Sequence, residues 1–417
     1  MVEKQGSSEP SPSFTDDGIS FFMILCVMGA FAILSSTMSK NPVLNPFAES
    51  LNTPTALMGV VAAASTVPGI IISLPAGVLS DVLGRRRVLL FSALIFASAP
   101  LLYILIDSWW QLVLVRFYHG FATAIFVPVA KAAIAERFPS RKGEKISTFT
   151  SATLVGRSIA PFLGGFILSV TFWNYDLLYT AVGVAGTASL IAALFLPRED
   201  HSGRGGPAPS NSLGRMKSLG LPSGWGEVLK NPRILSVSVV EASTLYAYGA
   251  LEFFLVGYLN NVVMLDPFLI GVISGSQLIF IPLINPFMGR LSDRVGRRRP
   301  ILAGLALGGT VLSLIPYTRS FPALLTISIM YGLSFSMVTS STSALVGDLS
   351  RRDLYGASMG FLATIMDVGQ ALGPIITGVI LAVTPGYTGS FLSLGAILFG
   401  SCLLFGASRG VTRRPSG

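Results

Sequence analysis

Long intervals without a single charged side chain dominate this chain, running from Asp17 to Lys40, Glu49 to Asp81, Arg87 to Asp107, Asp176 to Arg198, Asp266 to Arg290, Arg299 to Arg319, Arg319 to Asp348 and Asp367 to Arg409. A bilayer is crossed by about 20 apolar residues in a helix, because hydrocarbon offers backbone amides no partner outside their own segment. Each interval holds such a segment, and the last holds the end of one and all of another, divided at "TPGYTG". Twelve spans are predicted, near 19–38, 55–76, 88–106, 110–133, 146–170, 177–196, 234–259, 268–288, 300–317, 321–344, 356–383 and 390–408. The expected fold class is an all-α membrane protein.

With 51% apolar and 12% charged residues, the composition fits that reading, and the net charge of +9 finds its explanation in topology. If the N-terminus lies in the cytoplasm, that side collects Arg85 to Arg87, Arg137, Arg141, Lys142, Lys145, the cations of the 197–233 interval, Arg290, Arg294, Arg297 to Arg299, Arg351, Arg352, Arg409, Arg413 and Arg414, and the other keeps only Lys40 and Arg319. Lys and Arg of short loops stay cytoplasmic, so both termini are expected there, in the cell (inner or plasma) membrane. No nucleic-acid partner is expected, because the cations are dispersed over short loops without interleaved aromatics. The first apolar run follows the acidic pair Asp16 and Asp17 instead of a basic leader, so a cleaved signal is not expected. Cys26 and Cys402 lie in apolar spans and read as small buried hydrophobes; no disulfide, metal site or cofactor is expected.

The longest polar interval, 197–233, is rich in Gly, Pro and Ser and reads as a cytoplasmic linker with a short amphipathic helix. It divides an N-terminal six-helix bundle (19–196) from a C-terminal one (234–408), with tails at 1–18 and 409–417. The two bundles repeat each other. "GVLSDVLGRRR" at 77–87 returns as "GRLSDRVGRRR" at 289–299, and the same offset of 212 superposes Gly120 on Gly332 and Glu136 on Asp348. One residue of slip superposes Pro161 on Pro374 and Gly165 on Gly378. Parallel six-helix repeats are a way of building a transport site at the interface of two halves.

With its duplicated G-x-x-x-D-x-x-G-R-R-R loop, "RFYHGFATA" in the fourth span and "GRSIAPFLGG" in the fifth, the chain resembles the major facilitator superfamily, and within it the twelve-span drug:proton antiporters. Ala160 stands where that antiporter string has Gly, and His119 where Gln is usual. The resemblance implies two pseudo-symmetric six-helix bundles, proton-coupled alternating access and export of small amphipathic compounds. It assigns the loops Gly77, Asp81, Gly84, Arg85 and Glu136, and Gly289, Asp293, Gly296, Arg297 and Asp348, to a cytoplasmic gate. There Asp81 faces the start of the eleventh span and Asp293 that of the fifth. Gly77 and Gly289 would end their helices and admit a neighbour closely, and each Asp would meet the amides at a helix N-terminus. Gly156, Ala160 and Gly164 form a small-residue stripe beside Pro161 and Gly165, suited to helices that rock on one another.

Charges inside spans are few: Arg116 and Lys131 in the fourth, Arg157 in the fifth, Glu241 and Glu252 in the seventh, Asp367 in the eleventh. An ionised side chain in hydrocarbon costs about 2.5–3.5 kcal/mol or more, so these should face a watery cavity or one another. Spans 3, 6, 9 and 12, lipid-facing in the resembled fold, carry none. Arg157 and Asp367 each lie roughly 15 Å from the cytoplasmic start of their helices and form the expected central pair; Lys131 can snorkel to the surface. Asp367, Glu241 and Glu252 are the proton-coupling candidates, since a carboxylate that is dry in one conformation and wet in another takes up and releases a proton as the cavity changes sides. Arg116, His119, Arg157, Thr153, Tyr248 and Gln370 are the substrate-cavity candidates.

The expected partners are a small-molecule substrate, protons (with Na⁺ as the alternative coupling ion) and the bilayer, and the expected state is a monomer. The first span lacks the acid that many drug:proton antiporters carry there, and the buried arginines favour an anionic or zwitterionic compound. The rival reading is therefore a transporter of an organic anion, siderophore-like metabolite or lipid head-group. A non-transporting receptor would need no intact gating loops. An enzyme is not expected, for no nucleophile and base or metal-ligand cluster is apparent.

Overall fold

In a computed structural model that describes residues 16–197, 228–351 and 354–408, every charge-free interval forms helix. Residues 1–15 of the N-terminal tail, the C-terminal tail with Arg409, Arg413 and Arg414, most of the linker with its predicted amphipathic helix, and Arg352 lie outside the described residues. Among those described, twelve helical segments are long and apolar enough to cross a membrane. The first span is Asp16–Met38, the third Arg85–Leu105, the fourth Trp109–Arg137, the fifth Lys142–Val170 and the sixth Tyr175–Leu194. The seventh to twelfth are Pro232–Asn261, Pro267–Val295, Arg298–Leu314, Phe321–Leu349, Tyr355–Val383 and Tyr387–Ala407. Asn174, Asn231 and Asp266 cap the sixth, seventh and eighth by accepting from amides of the first turn.

The second span departs from expectation. It is two helices, Thr55–Ala63 and Val67–Leu83, separated by a turn at 64–66. Pro68 has no amide to bond the carbonyl four residues back, so the turn ahead of it tightens, with Thr66 bonding Ala63 and Gly69 bonding Thr66. The first inter-span loop is also unusual. Its short helix Leu44–Ser50 buries Leu44, Asn45, Pro46, Phe47 and Ala48, and acts as a plug between the halves.

Spans 3, 6, 9 and 12 pack within their own half, as the resemblance implies, and leave apolar side chains such as Leu105, Val184, Leu403 and Leu404 exposed. The halves meet through the second span against the eleventh and the fifth against the eighth. Those contacts lie toward the face opposite the triple-arginine strings. There a Cβ at Gly59 would overlap the Pro374 carbonyl, and one at Gly271 the Pro161 carbonyl. Toward the basic face, Gly143, Gly289 and Gly360 have open space around them. Among the described residues, the close backbone contacts between the halves thus lie toward the opposite face, and these three glycines of the basic face meet nothing across it.

Candidate functional site

The loop expectations are corrected in two ways. Gly77 and Gly289 do not end their helices, which run on to Leu83 and Val295. Gly84 and Gly296 end them, with φ of 92° and 87°, a region where a Cβ would be strained. The aspartates do not reach across to the other half. Asp81 pairs with Arg85 one turn on, and Arg85 donates to Glu136 at 2.8 Å and to Ser80. Asp293 pairs with Arg297, which donates to Asp348 at 3.1 Å and to Ser292 at 2.8 Å. The two clusters match member for member across the repeat, and each stays within its own half.

Between the halves lies a small polar cavity of ≈ 30 Å³ that ends against the plug helix. Arg116 lines it, 2% exposed, and donates to Ser65 in the break of the second span at 2.6 Å and to the Tyr103 hydroxyl at 3.4 Å. The same hydroxyl lies 3.3 Å from His119 Nδ1, and having accepted from Arg116 it can donate there. His119 is buried between the third and fourth spans, edge-on to Phe96 and Tyr103, and does not line the cavity. The chain turn at Ser65 approaches so closely that a Cβ at Gly120 would overlap the Ser65 carbonyl.

Glu252 lines the cavity from the other half. Its Oε1 accepts from Asn41 Nδ2 at 2.8 Å and sits 3.4 Å from Lys40 Nζ, so a carboxylate of the seventh span bonds the segment after the first. Sequence reasoning counted Lys40 only as a cation of the face opposite the arginine strings. It lines the cavity instead, because residues 39–48 fold inward with the plug. Gln370 also lines the wall, its backbone packed against Gly249, and Tyr248 is buried against Phe335.

The expected central pair does not form. No ion pair joins Arg157 and Asp367 among the described residues, and Arg157 is exposed. The fifth span spends its neighbouring faces elsewhere. Gly156 and Gly164 pack against Ala30 and Met38 of the first span, with Ala160 fully buried between them, and Pro161 and Gly165 pack on Gly271 of the eighth. Position 157 turns away from both contacts. Thr153 bonds its own backbone at Thr150 and abuts Gly29. Asp367 is partly exposed, on the helix face that carries Pro374 two turns further on. Glu241 does not line the cavity: it is fully buried in the C-terminal half, where the Thr342 hydroxyl donates to one carboxyl oxygen and the other has no protein partner.

On the opposite face, further polar bonds cross between the halves. Asn261 Nδ2 donates to Glu49 Oε1 and Ser169 Oγ to Asp266 Oδ2, both at 2.8 Å. With Glu252, this makes three carboxylates that accept across the seam.

The family model described as Major Facilitator Superfamily matches residues 20–264 and 238–417. The chain is 25% identical over 331 residues to the multidrug resistance protein MdtG of Klebsiella pneumoniae, covering 78% of this chain and 76% of that protein. It is 23% identical over 345 residues to an uncharacterized MFS-type transporter of Methanocaldococcus jannaschii, covering 81% and 85%. Among solved structures, a bacterial homolog of the lysosomal transporter Spinster, inward-facing and unoccupied, aligns with a TM-score of 0.74 at 15% identity over 96% of this chain and 97% of that one. The nucleoside transporter NupG aligns with a TM-score of 0.74 at 14% identity, over 94% and 99%. At such identities the likeness of the solved structures is one of fold. With the repeat, the helix packing and the family match in agreement, the chain belongs to the Major Facilitator Superfamily of transporters.

Proposed function

We propose that the protein is a proton-coupled secondary transporter that works by alternating access and exports small amphipathic compounds. The observation that carries this reading is the polar cavity between two repeated halves, bounded by the plug helix, with the backbone contacts of the seam lying toward that same face. The MdtG relatives, multidrug resistance proteins by name, support efflux. The arginine-rich face is taken as cytoplasmic by the distribution of positive charge, so the structure corresponds to a state ready to load from inside.

In this reading Asp367 carries the proton. It shares the cavity-facing side of the eleventh span with Gln370 and Pro374, and among the described residues no cation pairs with it. In this reading it is reached by water in one conformation and dry in the other, a change that exchanges an ionised for a neutral carboxyl. Glu252 serves the seam, and Glu241, sealed inside one half, is the weaker candidate. The loop clusters around Arg85 and Arg297 close the basic face in the other conformation, and the fifth-span stripe is the surface on which the halves rock.

The test is uptake and counterflow in proteoliposomes under an imposed pH gradient, with cationic, neutral and anionic probes in parallel. Gradient-dependent movement of at least one class is expected, and Asp367→Asn should abolish the response to the gradient while binding persists. Full gradient-driven transport in that variant would remove Asp367 from the role, and no movement of any class would remove the transporter reading.

A further inference from the structure

The ionisable groups at the sealed end of the cavity do not balance. Lys40 feels one acid, Glu252, and two further cations, Arg157 and Arg116, which repel it. Arg116 is satisfied only by the neutral hydroxyls of Ser65 and Tyr103, its Nε is buried without a partner, and no carboxylate pairs with it among the described residues. A guanidinium bonded by hydroxyls keeps its whole charge unneutralised, in surroundings where an unpaired charge is costly. The surplus is positive, and it lies beside an apolar wall formed by Leu44, Ala62 and Phe253.

Glu252 occupies the one place where an acid meets this surplus. A single oxygen, Oε1, takes both Lys40 and Asn41, and it comes from the opposite half. A carboxylate brought by a ligand offers Lys40 the same chemistry, and with two oxygens it can satisfy Arg116 as well.

Resting on the transporter reading, we propose that the sealed end of the cavity binds the anionic group of a small amphipathic monocarboxylate between Lys40 and Arg116. In binding, this group displaces Glu252 from Lys40 and so releases one of the bonds that join the halves. Glu252 is thus a built-in stand-in for the substrate's own anion. The ligand's apolar body lies along Phe253 and Leu44. A cation of equal size is disfavoured by the two positive charges that it would meet, and a neutral amide lacks the charge that competes with Glu252. The substrate's charge, not only its shape, then opens the seam.

The experiment pairs benzoate, salicylate and 2-naphthoate with their amides and with trimethylammonium analogues of matched size. Binding to the purified full-length chain is measured by calorimetry and counterflow in proteoliposomes. The carboxylates are expected to bind about tenfold more tightly than their amides, the size of effect one charge-assisted hydrogen bond supplies. Lys40→Gln and Arg116→Gln should each erase that preference, Lys40→Arg should keep most of it, and Glu252→Gln should tighten carboxylate binding about tenfold by removing the competitor. Equal binding of acids and amides, a preference for the cations, no binding by any of the carboxylates, or weaker carboxylate binding in Glu252→Gln would each overturn the proposal. The wild-type comparison needs no variant to fold. Transport of cations alone would overturn it while leaving the transporter reading intact, whereas failure of every probe to move would count against that reading, with the binding arm still deciding the anion site.

Discussion

Arg116 does two things in one place: it presents a charge to the cavity and it holds the broken second span through Ser65. Lysine cannot replace it, since an ammonium is a single point where the guanidinium reaches two hydroxyls in different directions. Arg116→Lys should lower stability by about 1–3 kcal/mol, the cost of leaving buried partners unsatisfied, read as a fall in melting temperature in detergent. Ser65→Ala should cost less, and the double variant should cost less than the sum, because both changes remove the same bond; strict additivity would mean that Arg116 acts through Tyr103 alone. Arg116 was legible in the sequence because charges inside spans are rare. Lys40 was not, since it follows the last apolar residue of the first span and looks like any loop cation. Its place in the cavity is set by the inward fold of 39–48, a tertiary choice that periodicity does not record.

The fifth span illustrates what an element's pattern can and cannot carry. Its stripe of Gly156, Ala160 and Gly164 announced close helix packing, and the partner proves to be the first span of the same half, with Pro161 and Gly165 turned to the eighth. The same pattern could not say that Arg157, one position beyond Gly156, would turn away from both and leave Asp367 unpaired. A Cβ added at Gly156 would overlap the Ala30 carbonyl, so Gly156→Ala should destabilise by about 1–3 kcal/mol, as overpacking does. Gly143, in the first turn of the same helix, meets nothing. Gly143→Ala should leave stability unchanged or raise it by up to about 1 kcal/mol through helix propensity. Thermal unfolding of the pair separates packing from propensity, and equal losses in both would contradict the described contact. The break in the second span had a signal in Pro68, but a proline in a membrane helix is compatible with a continuous bend, and only the approach of Gly120 to Ser65 decides for a turn.

At the scale of the whole molecule, the doubled architecture and its twelve crossings were legible because hydrocarbon imposes one rule on every span. The conformation was not legible, because a chain that must visit two states carries the contacts of both. The loop aspartates were expected to bridge the halves, yet here they pair at home, and the bridges form at the opposite face through Glu49, Glu252 and Asp266. The glycines record the same asymmetry. Those at the closed seam, Gly59 and Gly271, already touch backbone across it, while Gly289 and Gly360 face empty space. Gly360, Asp367 and Pro374 fall seven apart, close to one line along the eleventh span, and Pro374 already touches the second span. Gly360 should therefore meet the other half when the basic face closes. On a background without Cys26 and Cys402, Gly360→Cys should react readily with an aqueous maleimide in the resting protein. Bridging Ser169→Cys to Asp266→Cys with a short bifunctional thiol reagent should keep that site reactive and stop transport. Any ligand that drives the protein to the other state should protect the site, and should do so only while the bridge is absent. Protection that persists with the bridge in place would mean that the two faces open and close independently, and rocking about a central cavity would then be the wrong description of this protein's motion.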